Sequence, residues 1–180
     1  MTLKKYLKEL LQSLTGTVIL IGIKDQTLLT MMKESKQIKQ CYFLNANSKE
    51  AQKKARWSLR RHANIPISKF RKRFKKKRID TIVCDVREMQ NLFSIFVKDS
   101  VYICKGKIYY YGSKRNLDIP MLKARYSRYQ VTFEELDLKD SHVFVVDVSK
   151  AKYRYHRELW YKVKDILHQA SELASDFLVN

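Results

Sequence analysis

Leucines at positions 3, 7, 10, 11 and 14 recur at helical spacing with Lys4, Lys5, Lys8 and Glu9 between them, and Gly16 ends the pattern. That spacing predicts an amphipathic helix over 1–15, closed by a turn. Thr17–Ile23 (TVILIGI) is then unbroken apolar, β-branched sequence, as expected of a strand covered on both faces. Gln26–Ser35 reads as a helix and Cys41–Leu44 (CYFL) as a second short buried strand. Asn45, Asn47 and Ser48 form a polar edge before a predicted helix from Lys49 to about Ala63. Asn64–Ile67 is a poor third strand, because Pro66 has no N–H to give a ladder. Phe70 and Phe74 lie four apart in SKFRKRFKKKR, so a short helix turns both rings to the core and fans the cations outward. Ile79–Val86 (IDTIVCDV) is the strongest strand after the first, and Arg87–Val97 reads as a helix with Met89, Leu92, Phe93 and Phe96 inward.

The second half changes character. Val101–Cys104 (VYIC) and Ile108–Tyr111 flank Lys105-Gly106, which leaves either a hairpin or one strand with a bulge. Met121–Gln130 reads as a short helix or loop, and Gln130–Glu134 with His142–Val148 as an antiparallel hairpin around EELDLKD. Beyond Tyr153, residues Trp160, Val163, Leu167, Ala170, Ala174 and Phe177 are spaced by threes and fours, with Leu159, Ile166 and Leu173 widening the stripe. This predicts a helix over 153–178 that packs on the N-terminal helix or joins two copies as a homodimer. Alternating buried strands and helices predict an α/β fold with a mostly parallel sheet, helices on both faces, an antiparallel hairpin at the edge, and extra N- and C-terminal helices. At 180 residues a single domain over 1–180 is expected.

Charge changes the picture more than composition does. Between Ala51 and Ile79 stand thirteen basic residues: Lys53, Lys54, Arg56, Arg60, Arg61, Lys69, Arg71, Lys72, Arg73, Lys75, Lys76, Lys77 and Arg78, without one Asp or Glu. The rest of the chain has 24 basic and 18 acidic residues, a net of +6 out of the total +19. Charge localised in this way points to a polyanionic partner, and Lys and Arg bind phosphates with release of condensed counterions. A lysine-rich coding bias would enrich lysine broadly; it would not clear every acid from 29 successive residues or place six arginines among them. Trp57, within the block, is read either as a stacking platform for bases or as core, and the two phenylalanines as core. A second mixture of rings and cations comprises Tyr109, Tyr110, Tyr111, Lys114, Arg115, Lys123, Arg125, Tyr126, Arg128 and Tyr129. An anionic membrane surface fits less well, because the block has no Leu/Phe/Trp-rich opposite face.

Other chemistry finds little support. Cys41, Cys84 and Cys104 sit in apolar runs without CxxC spacing and are expected to be reduced core residues. His62, His142, His156 and His168 show no ligand spacing, so no metal is expected. There is no G-x-S-x-G, Walker A or kinase-like set. Glu134, Glu135, Asp137 and Asp140 are read as a solvated turn or as ion-pair partners of the cations. The N-terminal apolar stretch is broken by Gln12, Ser13, Thr15 and Thr17 and lacks a small-x-small cleavage site. With no apolar run of the roughly 18–20 residues that span a bilayer, the expectation is a soluble, cytoplasmic protein without a membrane span.

With TVILIGI as first strand, CYFLNAN as second and IDTIVCDV as fourth, the element order from about Thr15 to Val148 resembles the Rossmann-like class I methyltransferases that use S-adenosylmethionine. The resemblance implies S-adenosylmethionine as cofactor, with Gly22, Asp25, Asn45 and Asp85 around it. The glycine-rich motif is degenerate: only Gly22 survives of a GxGxG pattern. Asn45 and Asn47 stand where an acid usually holds ribose hydroxyls, and Asp85-Val86-Arg87-Glu88 stands where amino methyltransferases carry an Asn-Pro-Pro-Tyr type sequence. The expected function is a nucleic-acid-binding (RNA or DNA), methyltransferase-like protein with a degraded cofactor pocket, contacting phosphate through Lys53–Arg78, Arg125 and Arg128. Its rivals are an active S-adenosylmethionine-dependent nucleic-acid methyltransferase and a protein-interaction module that assembles through the C-terminal helix.

Overall fold

The computed structural model describes residues 1–44, 62–64, 74, 76, 78–88 and 93–151. Its elements are α1 (Leu3–Ser13), β1 (Gly16–Ile21), α2 (Gln26–Glu34), β2 (Ile38–Leu44), β3 (His62–Asn64), β4 (Ile79–Asp85), a 3-10 turn (Val86–Glu88), α3 (Phe93–Ile103), β5 (Cys104–Gly112), α4 (Ile119–Tyr126), β6 (Thr132–Asp137) and β7 (His142–Asp147). They form one seven-stranded sheet in the order β3-β2-β1-β4-β5-β7-β6. The first five strands are parallel, and β7 runs antiparallel to both β5 and β6. This is the expected α/β, Rossmann-like architecture: a mostly parallel sheet, helices on both faces and an antiparallel hairpin at one edge.

Strand alternation sends successive side chains of β1 into two separate cores. Val18 and Leu20 meet Leu7 and Leu11 of α1 and Leu28 and Met32 of α2 on one face. Ile19 and Ile21 meet Phe96, Val97 and Val101 of α3 and Leu122 and Tyr126 of α4 on the other. Being covered twice, β1 can be apolar throughout, which is why TVILIGI shows no alternation. All three cysteines are buried and free, as expected, and burial pushes the Cys41 thiol up to about 12. No described helix is long and apolar enough to cross a membrane.

Asp80 ties three strands together at the amino-terminal end of the sheet. Its carboxylate accepts the Thr17 backbone N–H at 2.8 Å and pairs with Lys105 Nζ at 2.8 Å. Gly16, at φ 74°, brings β1 so close that a Cβ there would collide with this carboxylate. A Cβ on Gly106 would collide with the Asp80 backbone carbonyl instead. The β4–β5 register shifts at this point, with Ile79 opposite Cys104 and Thr81 opposite Lys107. Lys105-Gly106 is therefore a bulge within one strand, the second of the two alternatives. Gly106→Ala is expected to destabilise the fold by about 1–3 kcal/mol through overpacking against backbone that cannot retreat, measured as a lower urea midpoint with an unchanged slope.

Several boundaries differ from the pattern reading. Val101–Ile103 end α3 rather than start a strand; burial of Val101 and Ile103 against the sheet outweighs their β-branched preference. β2 begins at Ile38, whose side chain is buried ahead of the exposed Lys39 and half-buried Gln40. The third strand is His62–Asn64 where Asn64–Ile67 was expected, which takes His62 and Ala63 out of the helix predicted to end at about Ala63. Val86–Glu88 form a 3-10 turn where a helix start was expected, and β6 begins at Thr132. The remainder of the predicted helix at 49–61, Phe70, Met89, Leu92 and the helix over 153–178 lie outside the described residues.

Candidate functional site

Connections leave β1 toward β2 and β3, and the chain then returns to place β4 on the other side of β1. In an open α/β sheet the crevice at such a reversal, beyond the carboxyl ends of the strands, is where ligands bind. Gly22 stands at the end of β1 with φ 75° and donates its N–H to Leu44 O at 3.3 Å, joining the ends of β1 and β2. A side chain would strain this left-handed backbone, and Gly22 is itself buried.

Asp25 opens α2 as its N-cap. Its Oδ1 accepts from Thr27 N at 2.9 Å and Leu28 N at 3.3 Å, while Oδ2 meets Lys4 Nζ at 2.9 Å. The Lys4 ammonium and the two amides hold this carboxyl below its usual range. Asp85 ends β4 and is only 2% exposed. Its Oδ1 accepts from Arg87 N and Nε, both at 3.0 Å, and Oδ2 from the Arg87 guanidinium at 2.6 Å and Nε at 3.2 Å. The two-oxygen clasp satisfies a buried charge locally, so both carboxylates expected at the cofactor already have internal partners. Asn45 lies outside the described residues.

Hairpin register assembles a group on the same rim that linear spacing conceals. Gly112 at the end of β5 pairs with His142, and His142 pairs with Asp137 across the hairpin. Lys114 Nζ lies 2.9 Å from Asp137 Oδ1 and His142 Nδ1 3.5 Å from the same oxygen. Lys114 above all keeps Asp137 below the usual carboxylate range. The available signal was the hairpin itself, because antiparallel pairing across a short turn fixes which residues face each other.

Phe74 is buried, edge-on to Tyr42 with ring centroids 4.7 Å apart, while Lys76 and Arg78 are exposed. The Phe74 ring belongs to the core and Lys76 and Arg78 to the surface, while Phe70 and the predicted helix joining the two rings lie outside the described residues. Lys53, Arg56, Trp57, Arg60, Arg61, Lys69, Arg71, Lys72, Arg73, Lys75 and Lys77 lie outside the described residues. The second mixture of rings and cations is not the surface its sequence suggested. Tyr110, Tyr111, Tyr126 and Tyr129 are buried, and strand alternation places Tyr110 and Tyr111 in opposite cores. Lys114 and Lys123 are paired with Asp137 and Glu135, the ion-pair role anticipated for those acids. Arg125 is half-buried with Nε on Met121 Sδ at 2.9 Å, and Arg128 is exposed.

The sequence matches no protein-family model and no curated relative. The backbone does find counterparts among solved structures. It superposes on a SAM-dependent methyltransferase from Aquifex aeolicus with a TM-score of 0.59 at 12% identity, covering 81% of this chain and 88% of that one. The fold is class I methyltransferase-like. A chain from the Haloferax volcanii complex that contains the Trm112 methyltransferase activator also gives 0.59, at 10% identity over 84% and 90% of the two chains. The Methanococcus jannaschii fibrillarin pre-rRNA processing protein gives 0.51 at 14% identity, over 74% and 66%. Gly22 keeps the positive φ of a glycine turn after the first strand, but it is buried with its N–H given to Leu44 O. The Asp25 and Asp85 carboxylates do not fit as free acceptors for S-adenosylmethionine, since the α2 amides, Lys4 and Arg87 occupy them.

Proposed function

We propose that the chain binds nucleic acid by phosphate contact on a methyltransferase-like scaffold, without depending on S-adenosylmethionine. One observation carries this reading: thirteen cations stand in 29 residues with no acid among them. Around the buried Phe74 the described members, Lys76 and Arg78, face solvent and meet no acid in an ion pair among the described residues. That a pre-rRNA processing protein shares the fold supports nucleic acid as the source of phosphate. Capped Asp25 and clasped Asp85 support a pocket that has lost its cofactor-holding side chains.

The second reading, methyl transfer to nucleic acid, is favoured by Gly22. When bound, S-adenosylmethionine would supply an electrophilic methyl group, and the chain's part would be the glycine turn at Gly22 with Asn45, which follows the Leu44 that Gly22 bonds to. Calorimetry with S-adenosylmethionine separates the two. No heat is expected at high protein concentration, with oligonucleotide binding intact. A saturable heat would overturn the first reading, and methylation of the bound oligonucleotide would then establish the second.

A further inference from the structure

The two rims of the sheet differ in charge. Among the described residues, the carboxyl rim carries Lys4, Lys24, Arg87, Lys114, Arg115 and Lys139 against Asp25, Asp85, Asp118, Asp137 and Asp140. Three of those cations are engaged in ion pairs, Lys4 with Asp25, Arg87 with Asp85 and Lys114 with Asp137. Among the described residues this rim is close to charge balance and largely paired.

At the amino rim the topology collects Lys36 before β2, Arg78 before β4, Lys105 and Lys107 at the start of β5, Arg128 before β6 and Lys150 after β7. All six are exposed. Among the described residues, Glu34, Asp80 and Asp147 lie on this rim, and Glu9 and Glu134 line the cleft that Lys107 enters; Asp80 also serves Thr17 N, and Asp147 accepts from Ser149 N at 2.9 Å. Asp147 is held below its usual range chiefly by its Ser149 hydrogen bonds, with Lys107 and Lys150 adding to the effect. Among the described residues a cationic excess therefore runs from β2 to β6, and Arg78 joins it directly to the end of the basic block.

Resting on the nucleic-acid reading, we infer that the amino rim, not the carboxyl rim, is the face on which the phosphate backbone lies. Strand spacing of ~4.8 Å makes the five intervals from β2 to β6 about 24 Å long. That length matches about seven phosphates along one strand of a double helix, at ~3.4 Å of axial rise each, and fewer of an extended single strand. A strand of six residues is about 20 Å long, so nucleic acid held here lies the height of the sheet away from the Gly22 crevice. The rim anchors the polymer and does not present a base to that crevice.

The test compares two triple variants of the full chain, Lys36→Glu/Arg78→Glu/Lys150→Glu on the amino rim and Lys24→Glu/Arg115→Glu/Lys139→Glu on the carboxyl rim. Binding of a labelled mixed-sequence single-stranded RNA, and of DNA of the same sequence, is followed against salt. The amino-rim variant is expected to lose about 2–3 from the slope of log affinity on log salt, at ~0.7–0.9 per phosphate contact, and the carboxyl-rim variant almost nothing. Gln in place of Glu at the amino rim should shift the slope in the same direction without adding acid. Equal losses from the two rims, or a loss confined to the carboxyl rim, would overturn the inference while leaving nucleic-acid binding in place. Failure of the unsubstituted chain to bind either polymer would instead remove the reading on which it rests.

Discussion

Tyr126→Ala is expected to destabilise the protein by about 3–5 kcal/mol, the cost of emptying a buried aromatic site. Tyr126 ends α4 and is completely buried. Its ring packs 6.1 Å from that of Tyr110, and its hydroxyl lies 2.5 Å from Tyr110 Oη and 3.0 Å from Ser100 Oγ. Ser100 donates onward to Val97 O at 2.8 Å. That last bond fixes the direction of the chain: the Ser100 hydrogen is spent on Val97, so Tyr126 donates to Ser100 and accepts from Tyr110. Burial pushes the hydroxyls of Tyr126 and Tyr110 well above their ordinary range, keeping the chain protonated. Tyr126→Phe keeps the ring and breaks both bonds, at about 1–3 kcal/mol. Tyr110→Phe should cost less, because it removes the end of the chain and leaves Tyr126 its acceptor on Ser100. Urea unfolding of the three variants tests this order.

Charge reversal at Lys72, Arg73, Lys76 and Lys77 should take about 3–4 from the salt slope of oligonucleotide binding, at ~0.7–0.9 per lost contact, and roughly two orders of magnitude from low-salt affinity. The fold should survive, because Phe74, which anchors this stretch on Tyr42, is untouched. Circular dichroism of the variant checks that point. Binding that keeps its slope would mean that these cations only aid solubility.

What the sequence disclosed and what it hid follow from where the energy resides. TVILIGI and IDTIVCDV announced central strands because burial on both faces leaves no position for a polar residue. VYIC misled because its β-branched residues are buried equally well by a helix lying on a sheet. The tyrosines looked like surface because a hydroxyl makes the ring amphipathic; two of them satisfy it inside the core. Asp25 directly precedes a helix and Asp85 lies two residues before an arginine, so capping and clasping were the local solutions nearest to hand for both carboxylates. Lys114, Asp137 and His142 could be joined only once hairpin register and the loop after β5 were known. The charge difference between the described parts of the two rims was equally invisible, since the amino-rim cations come from five separate places in the chain.

The most direct measurement is the affinity of the purified chain for a short oligonucleotide across a salt series. Tight binding at low ionic strength with a steep, linear decline of log affinity on log salt is predicted. Absence of binding at low ionic strength, or an affinity indifferent to salt, would contradict the account.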